Sequence, residues 1–166
     1  MSTESLNIGP CEPAECREVL GLVLRTLLPE HRSTLVESLH RQADEPLGPY
    51  QALIGAWQGG NLVGATWGQP QPGRTAALWL PQVVDLPLER VATPLLRSAA
   101  KQTDAAGVVM TQALLESDAD LCVPDLKACG FVRLTELHYL EWKPRKDAVK
   151  QEVTELDFHP VTASLS

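Results

Sequence analysis

The feature that most constrains the fold is a pair of apolar runs on either side of a segment long enough for a helix. The runs are ALWLPQVV (77–84) and GVVMTQALLE (107–116). A strand, a helix and a strand in this order predict two parallel strands joined by a crossover, because parallel strands need a long connection. Parallel strands are normally covered by helices, so the chain is predicted to be an α/β protein.

The preceding segment predicts antiparallel hairpins. The runs YQALIGAWQ (50–58) and NLVGATWGQ (61–69) flank Gly59-Gly60, which is typical of a hairpin turn because glycine accepts positive φ. A second turn, QPQPGRT, leads into the strand TAALWLPQVV (75–84). Pro81 within this strand predicts an edge position or a bulge, because proline has no amide hydrogen to donate to a neighbouring strand.

The remaining elements follow from apolar periodicity and from helix-ending residues. They are a strand at 5–9, helices at 13–28, at 33–43 with Ser33 as its cap, and at 119–129, and a strand at 131–142. Together these patterns predict a mixed, mostly antiparallel sheet of six or seven strands, flanked by helices in α+β layers.

Charge and targeting signals exclude several classes of protein. The 166-residue chain has a net charge of −7, and its basic residues form no run except KPRK (143–146). Binding to nucleic acid is therefore not expected, because it depends on clustered Lys and Arg. The start, MSTESLNIGP, has neither a basic nor an apolar region, and no apolar stretch could span a bilayer. The sequence predicts a cytoplasmic protein without membrane contact.

The four cysteines give no sign of a metal site. Cys11, Cys16, Cys122 and Cys129 form no C-x-x-C pair and have no histidine at zinc-ligand spacing. Cys122 and Cys129 are two helical turns apart on one face, which favours burial as small hydrophobic side chains. No metal is therefore expected.

The chain is predicted to contain one folded domain, 1–143, followed by a polar segment, 144–166. Within that segment VTELDFHPV (153–161) has the pattern of a strand. Its LDFHP resembles the LNIGP of residues 6–10, which leaves two interpretations open. The segment is either a terminal strand or the beginning of an incomplete second copy of the domain.

The element order, the Gly-Gly hairpin, the passage from the fourth strand into a helix, and ACGF at 128–131 resemble the GCN5-related N-acetyltransferase family. The resemblance implies a V-shaped opening between the fourth and fifth strands. There the pantetheine arm of acetyl-CoA would pair with the backbone of Leu80 to Val84. Backbone N–H groups of a Gln/Arg-x-x-Gly-x-Gly/Ala turn at the following helix would receive the pyrophosphate.

This turn departs from the family pattern. Its three positions fall on Pro87, Arg90 and Ala92, and only Ala92 fits. Two helix starts remain open: one near Pro87, with Pro94 in the helix interior, and one with Thr93 as cap and Pro94 as the first helical residue. The cofactor-binding residues implied by the resemblance are Val83, Val84, Glu89, Arg90, Val91, Ala92 and Thr93.

The resemblance implies an acetyl-CoA-dependent N-acetyltransferase acting on an amine of a small molecule or a peptide. The proton donor that family members place four residues before the Gly of Gly-Phe is here Leu126, which cannot donate. Glu116, at the end of the fifth strand, is a candidate catalytic base, although a strand can also simply end in a solvent-facing polar residue.

A second hypothesis is a non-catalytic acetyltransferase-like domain that binds a ligand or a partner. The altered turn and Leu126 favour it. If a seventh strand is missing, the exposed sheet edge would also favour a homodimer formed by strand addition.

Overall fold

The computed structural model describes residues 5–41, 50–115 and 122–136, except for the side chains of 40 and 41. The described secondary structure lies in one compact unit, Met1–Arg133, and only 134–136 are described of a second unit, Leu134–Ser166. The predicted boundary at residue 143 lies outside the described residues. The elements are β1 (Leu6–Pro10), α1 (Cys16–Val23), α2 (Pro29–Arg41), β2 (Leu53–Gln58), β3 (Asn61–Gln71), β4 (Thr75–Val83), α3 (Leu88–Ala105), β5 (Met110–Ala113) and α4 (Val123–Ala128).

The strands form one sheet in the order β1-β2-β3-β4-β5. The first four strands pair antiparallel, whereas β5 pairs parallel to β4 after the crossover through α3. This arrangement confirms the mixed, mostly antiparallel sheet, with five described strands instead of six or seven. Residues 131–136, where a further strand was expected to begin, form no strand. The rest of that prediction, 137–142, and the predicted strand at 153–161 lie outside the described residues.

Strand β4 contains the irregularity that Pro81 predicts. The register of β3 and β4 shifts between the pairs Ala65–Gln82 and Trp67–Trp79. In this interval β4 has one residue more than β3, which makes a β-bulge that includes Pro81. The buried Thr66 donates its hydroxyl hydrogen to the carbonyl of Trp79 at 2.6 Å. The Thr66 hydroxyl therefore keeps this carbonyl bonded although the bulge interrupts the ladder.

Helices cover both faces of the sheet. Consecutive strand residues point to opposite faces, and accordingly Leu53 belongs to the apolar cluster under α1 and α2, whereas Ile54 belongs to the cluster under α3 and α4. Trp67, which is fully buried, stacks on Trp79 with ring centroids 6.3 Å apart. None of the helices in the described part of the chain is long and apolar enough to span a membrane.

Close contact between α3 and β3 depends on glycine. A Cβ atom on Gly64 would lie 3.0 Å from Cγ1 of Val91, and one on Gly68 would lie 2.5 Å from Cγ2 of Thr103. Both distances are shorter than normal van der Waals contact. The absence of side chains at these positions therefore lets the helix lie directly on the strand.

Two helix starts differ from the sequence predictions. Helix α2 begins at Pro29 instead of Ser33, because proline is well tolerated in the first turn, where its missing N–H has no helical partner. The Ser33 hydroxyl donates to the Pro29 carbonyl one turn back, so it is not a cap. Helix α1 begins at Cys16, after a turn in which the Glu15 carboxylate accepts from the Glu12 amide at 2.9 Å.

Helix α3 begins at Leu88, so the first of the two predicted starts is correct and Pro94 lies inside the helix. An interior proline costs about 3 kcal/mol. The helix buries Val91, Leu95 and Leu96 against the sheet, and each such side chain contributes about 1.5–3 kcal/mol. Burial of the apolar face therefore offsets the cost of Pro94.

Candidate functional site

The sheet opens beside the second half of β4. Strand β5 pairs with β4 from Thr75 to Leu78 only. From Trp79 to Val83, no described strand pairs with β4 on the side of β5. We call this stretch the open edge of β4. It begins one residue before the bulge, and bulges commonly end the pairing of a strand with its neighbour.

The backbone of Val83 faces the open edge. The amide of the next residue, Val84, donates to the carbonyl of Val63 on β3 at 2.9 Å. In an antiparallel pair, hydrogen-bonded residues alternate with residues whose N–H and C=O point to the other side. Val83 therefore presents a donor and an acceptor to the opening, whereas the Val84 amide is already bonded.

The N-terminus of α3 follows the open edge after four residues. Pro87 is its N-cap residue and offers no side-chain hydrogen bond, and the Arg90 amide already donates to the Pro87 carbonyl at 3.1 Å. The amides of Leu88 and Glu89 donate to no residue in the described part of the chain. These two N–H groups and the positive end of the helix dipole make this terminus suited to an anion.

Other residues that the resemblance implies for cofactor binding have side chains that are buried or hydrogen-bonded within the protein. The side chains of Val91 and Ala92 are fully buried. The Thr93 hydroxyl donates to the carboxylate of Asp125 on α4. Only Glu89 and Arg90 place exposed side chains at the start of α3.

The charges around this helix start are mixed. Asp85, in the loop before α3, is exposed and adopts a left-handed backbone with φ of 59°. The segment around these two amides thus carries two exposed carboxylates, those of Asp85 and Glu89, and the single guanidinium of Arg90. Carboxylates repel a phosphate, whereas Arg attracts it with charge-assisted hydrogen bonds. Of these three charged side chains, only Arg90 attracts an anion.

A polar pair connects the open edge with the opposite layer of helices. Arg25, just after α1, donates from Nε to Oε1 of Gln82 on β4 at 2.8 Å. The guanidinium is exposed and forms no ion pair with any described residue. Its remaining N–H groups can therefore receive a carboxylate or another anion beside the open edge.

The structure assigns no proton donor to the Leu126 position. Leu126 is 5% exposed and belongs to the apolar cluster under α3 and α4. Burial raises the pKa of the nearby thiols Cys122 and Cys129, which therefore stay protonated at neutral pH. The Cys129 thiol donates to the Thr93 carbonyl at 3.8 Å. Glu116, the candidate base, lies outside the described residues.

Two side-chain contacts in this region could not be found from the sequence. Arg25 and Gln82 are 57 residues apart, and Thr93 and Asp125 are 32 apart. No short motif marks either of them, because both depend on how separate elements approach in space.

The fold, in contrast, is similar to that of several known acetyltransferases. No protein-family model matches the sequence, and a search of curated proteins finds no similar sequence. Among solved structures, the aminoglycoside N-acetyltransferase AAC(6')-Iy in complex with CoA is 13% identical with a TM-score of 0.59, over 86% of this chain and 98% of that chain. Ard1 from Thermoplasma volcanium is 20% identical with a TM-score of 0.58, over 78% and 84% of the two chains.

A third similar structure is the ribosomal-protein-S18-alanine N-acetyltransferase from Escherichia coli. It is 16% identical with a TM-score of 0.58, over 79% of this chain and 80% of that chain. All three matches extend over most of both chains, so the likeness concerns the whole architecture and not one βαβ unit. The protein therefore has the same fold as these acetyltransferases, which is the fold that the resemblance in the sequence implied.

Proposed function

We propose that the protein is an N-acetyltransferase that transfers an acetyl group from acetyl-CoA to an amine of a small molecule or a peptide. The observation that carries this proposal is the open edge of β4, where the backbone groups of Val83 pair with no described strand. This edge leads to the N-terminus of α3, which has no side-chain cap. The fold is similar to that of an aminoglycoside N-acetyltransferase in complex with CoA.

In this proposal the backbone carries most of the donor binding. The amide and carbonyl of Val83 pair with the pantetheine arm, and the amides of Leu88 and Glu89 receive a diphosphate oxygen. Arg90 adds a charged contact, whereas the carboxylate of Glu89 weakens the binding. The resulting affinity for the coenzyme is modest, since the turn has no glycine that would let further amides approach the diphosphate.

The position of Arg25 supports acceptors that carry a negative charge. Its guanidinium lies beside the open edge and is held by Gln82, and its other N–H groups bond to none of the described residues. An acceptor amine that carries a carboxylate would bind there through charge-assisted hydrogen bonds. We therefore expect acidic acceptors to be preferred over the same molecules with a carboxamide.

Transfer requires an uncharged amine to attack the thioester carbonyl carbon, after which the carbon–sulfur bond breaks and the thiolate leaves. Leu126 cannot protonate this thiolate, so the protein assists mainly by binding and orienting the two substrates. Glu116 stays the proposed base that takes the proton from the amine. Its position in the sequence, three residues after β5, is the basis of this assignment.

A second candidate function is a non-catalytic ligand-binding or scaffold domain. The two carboxylates near the helix start and the buried Leu126 favour it, because both weaken features that an acetyltransferase uses. This alternative predicts that acetyl-CoA either does not bind or binds without turnover.

Calorimetric titration of the full chain with acetyl-CoA tests the proposal. We expect Arg90→Ala to weaken binding about tenfold, which corresponds to about 1.4 kcal/mol. Lys101→Ala is the matched control, because it removes a positive charge from the same helix about 16 Å farther along. Acetyl-pantetheine, which lacks the diphosphate, should bind equally to both variants.

Turnover is then followed by mass spectrometry of acetylated amines, with paired acceptors that differ only in carboxylate or carboxamide. Arg25→Ala should remove the preference for the carboxylate, and Glu116→Gln should lower kcat. No coenzyme binding at millimolar concentration would refute the enzyme proposal. Binding without turnover of any amine would favour the second candidate function.

A further inference from the structure

The structure brings two thiols together at the junction of β1 and α1. Cys11 follows β1 directly and Cys16 is the first residue of α1, and their Sγ atoms lie 2.9 Å apart. Both are free cysteines. The proposed acetyl transfer uses neither of them.

Separate backbone contacts hold the two cysteines in place. The Cys11 amide donates to the carbonyl of Leu53 on β2 at 3.2 Å, which continues the pairing of β1 with β2. The Cys16 amide and thiol both donate to the carbonyl of Glu12, at 3.2 and 3.4 Å. Since a disulfide has an S–S bond of about 2.05 Å, the sulfurs need to approach by about 1 Å to form one.

The two thiols differ in access. Cys16 is 5% exposed within the core under α1 and α2, whereas Cys11 is only partly buried at the rim of the same cluster. A reagent from solution therefore reaches Cys11 first, and Cys16 lies behind it in contact with its sulfur.

We propose that Cys11 and Cys16 form a redox modification site that closes reversibly to a disulfide, with a small-molecule disulfide as the oxidant. The Cys11 thiol first releases its proton to solvent, which alkaline pH favours because burial raises the pKa of this thiol. The Cys11 thiolate then attacks one sulfur of the oxidant, whose S–S bond breaks and releases one thiolate. The Cys16 thiolate then attacks the Cys11 sulfur of the mixed disulfide and releases the second. The two cysteines lose two electrons, and the two released thiolates take up the two protons.

Closure links the end of β1 to the start of α1. The connection between them, 12–15, becomes a small covalent ring, and the Cys16 side chain is fixed against the strand layer that contains Leu53. Because the thiols already touch, the disulfide forms within the folded protein. This inference does not depend on the proposed acetyltransferase function.

The test uses the reduced full chain, treated with oxidised glutathione, then alkylated with iodoacetamide and measured as intact protein and as peptides without reductant. We expect a loss of mass equal to two hydrogen atoms, protection of Cys11 and Cys16 from alkylation, and reversal by dithiothreitol. Alkylation of both residues after oxidation would overturn the proposal, and so would a stable glutathione adduct on Cys11 of the wild type.

Two variants separate this pair from the other cysteines. Cys16→Ser should retain the glutathione adduct on Cys11, because the second thiol is missing. The double variant Cys122→Ser/Cys129→Ser should form the disulfide as the wild type does. Loss of the disulfide in this double variant would show that the disulfide involves Cys122 or Cys129, and it would overturn the proposal. Peptide analysis of the oxidised wild type identifies the bonded cysteines even if a variant fails to fold.

Discussion

At the scale of single residues, Glu89 and Arg90 are neighbours with opposite effects on an anion at the start of α3. Both side chains are exposed, and they stand beside amides that lack a partner in the described part of the chain. A negative charge in the first turn of a helix stabilises the helix itself, but it competes with an anionic ligand for the same positive potential. The coenzyme affinity therefore depends on the balance of these two side chains.

Replacement of Glu89 by Gln is expected to strengthen the binding of acetyl-CoA about two- to fivefold, because a charge at a helix terminus contributes about 0.3–1 kcal/mol. Calorimetry at low ionic strength measures the change. Glu18→Gln, which removes an exposed carboxylate from the first turn of α1, should leave the affinity unchanged. Equal affinities of wild type and Glu89→Gln would show that the diphosphate lies elsewhere.

Cys11 gives a pH dependence to the stability of the reduced protein. Burial, followed by the hydrogen bond with Cys16, raises the pKa of Cys11 above its ordinary value of 9.0. A raised pKa stabilises the fold below pH 9, and this contribution is lost as the pH rises, since the unfolded chain gives up the proton first. Urea unfolding in the presence of reductant should therefore show a steeper loss of stability between pH 9 and 10 in wild type than in Cys11→Ser. An equal loss of stability with pH in the two proteins would contradict the raised pKa of Cys11.

At the scale of elements, helix α3 determines the arrangement of the site. It joins the two parallel strands, lies on β3 through Gly64 and Gly68, and begins beside the open edge of β4. Its position is thus set by close contact along β3 as well as by the loop that precedes it. A change of this contact should be transmitted to the start of the helix.

Gly68→Ala is expected to destabilise the protein by about 1–3 kcal/mol, because the new Cβ atom would lie 2.5 Å from Cγ2 of Thr103. Thr103→Ser removes this methyl group and keeps the hydroxyl that donates to the Ala100 carbonyl. The double variant should therefore regain part of the stability lost in Gly68→Ala. Strictly additive losses in urea unfolding would show that the two residues do not interact.

At the scale of the whole molecule, β5 is the last strand of the described sheet and its surroundings are apolar. Val109 and Leu114, on either side of β5, are 66% and 68% exposed, and Met110 is 43% exposed. No described strand pairs with β5 on the side away from β4. An edge of this kind favours pairing with another strand, which is the basis for the proposed homodimer.

Sedimentation velocity over a range of protein concentrations tests the homodimer. We expect a concentration-dependent dimer in wild type, and a shift to monomer in Val109→Lys, because lysine at a sheet edge opposes strand addition. Arg17→Lys, an exposed and charge-conserving change on α1, serves as the control. A wild-type monomer at every concentration would refute the homodimer.

The predictions from sequence succeeded where the physical signal is local. The parallel crossover follows from two apolar runs separated by a helix, and the bulge in β4 follows from the missing amide hydrogen of Pro81. The resemblance also led to the correct fold, although identity with the similar structures is only 13–20% for the three compared. Helix boundaries were less accurate, since local preferences at Ser33 and Pro94 compete with burial elsewhere in the helix.

The sequence by itself therefore determined the order of the elements and the mixed sheet, whereas the site at the end of β4 stays a prediction that rests on the resemblance. The tertiary structure alone decided which groups at that site are free: the backbone of Val83 faces the opening, while Val91 and Ala92 are buried and Thr93 is bonded to Asp125. It also decided that α3 runs through Pro94. The physical reason is that burial and side-chain pairing depend on distances between segments far apart in the chain, whereas turns, bulges and periodicity depend on adjacent residues.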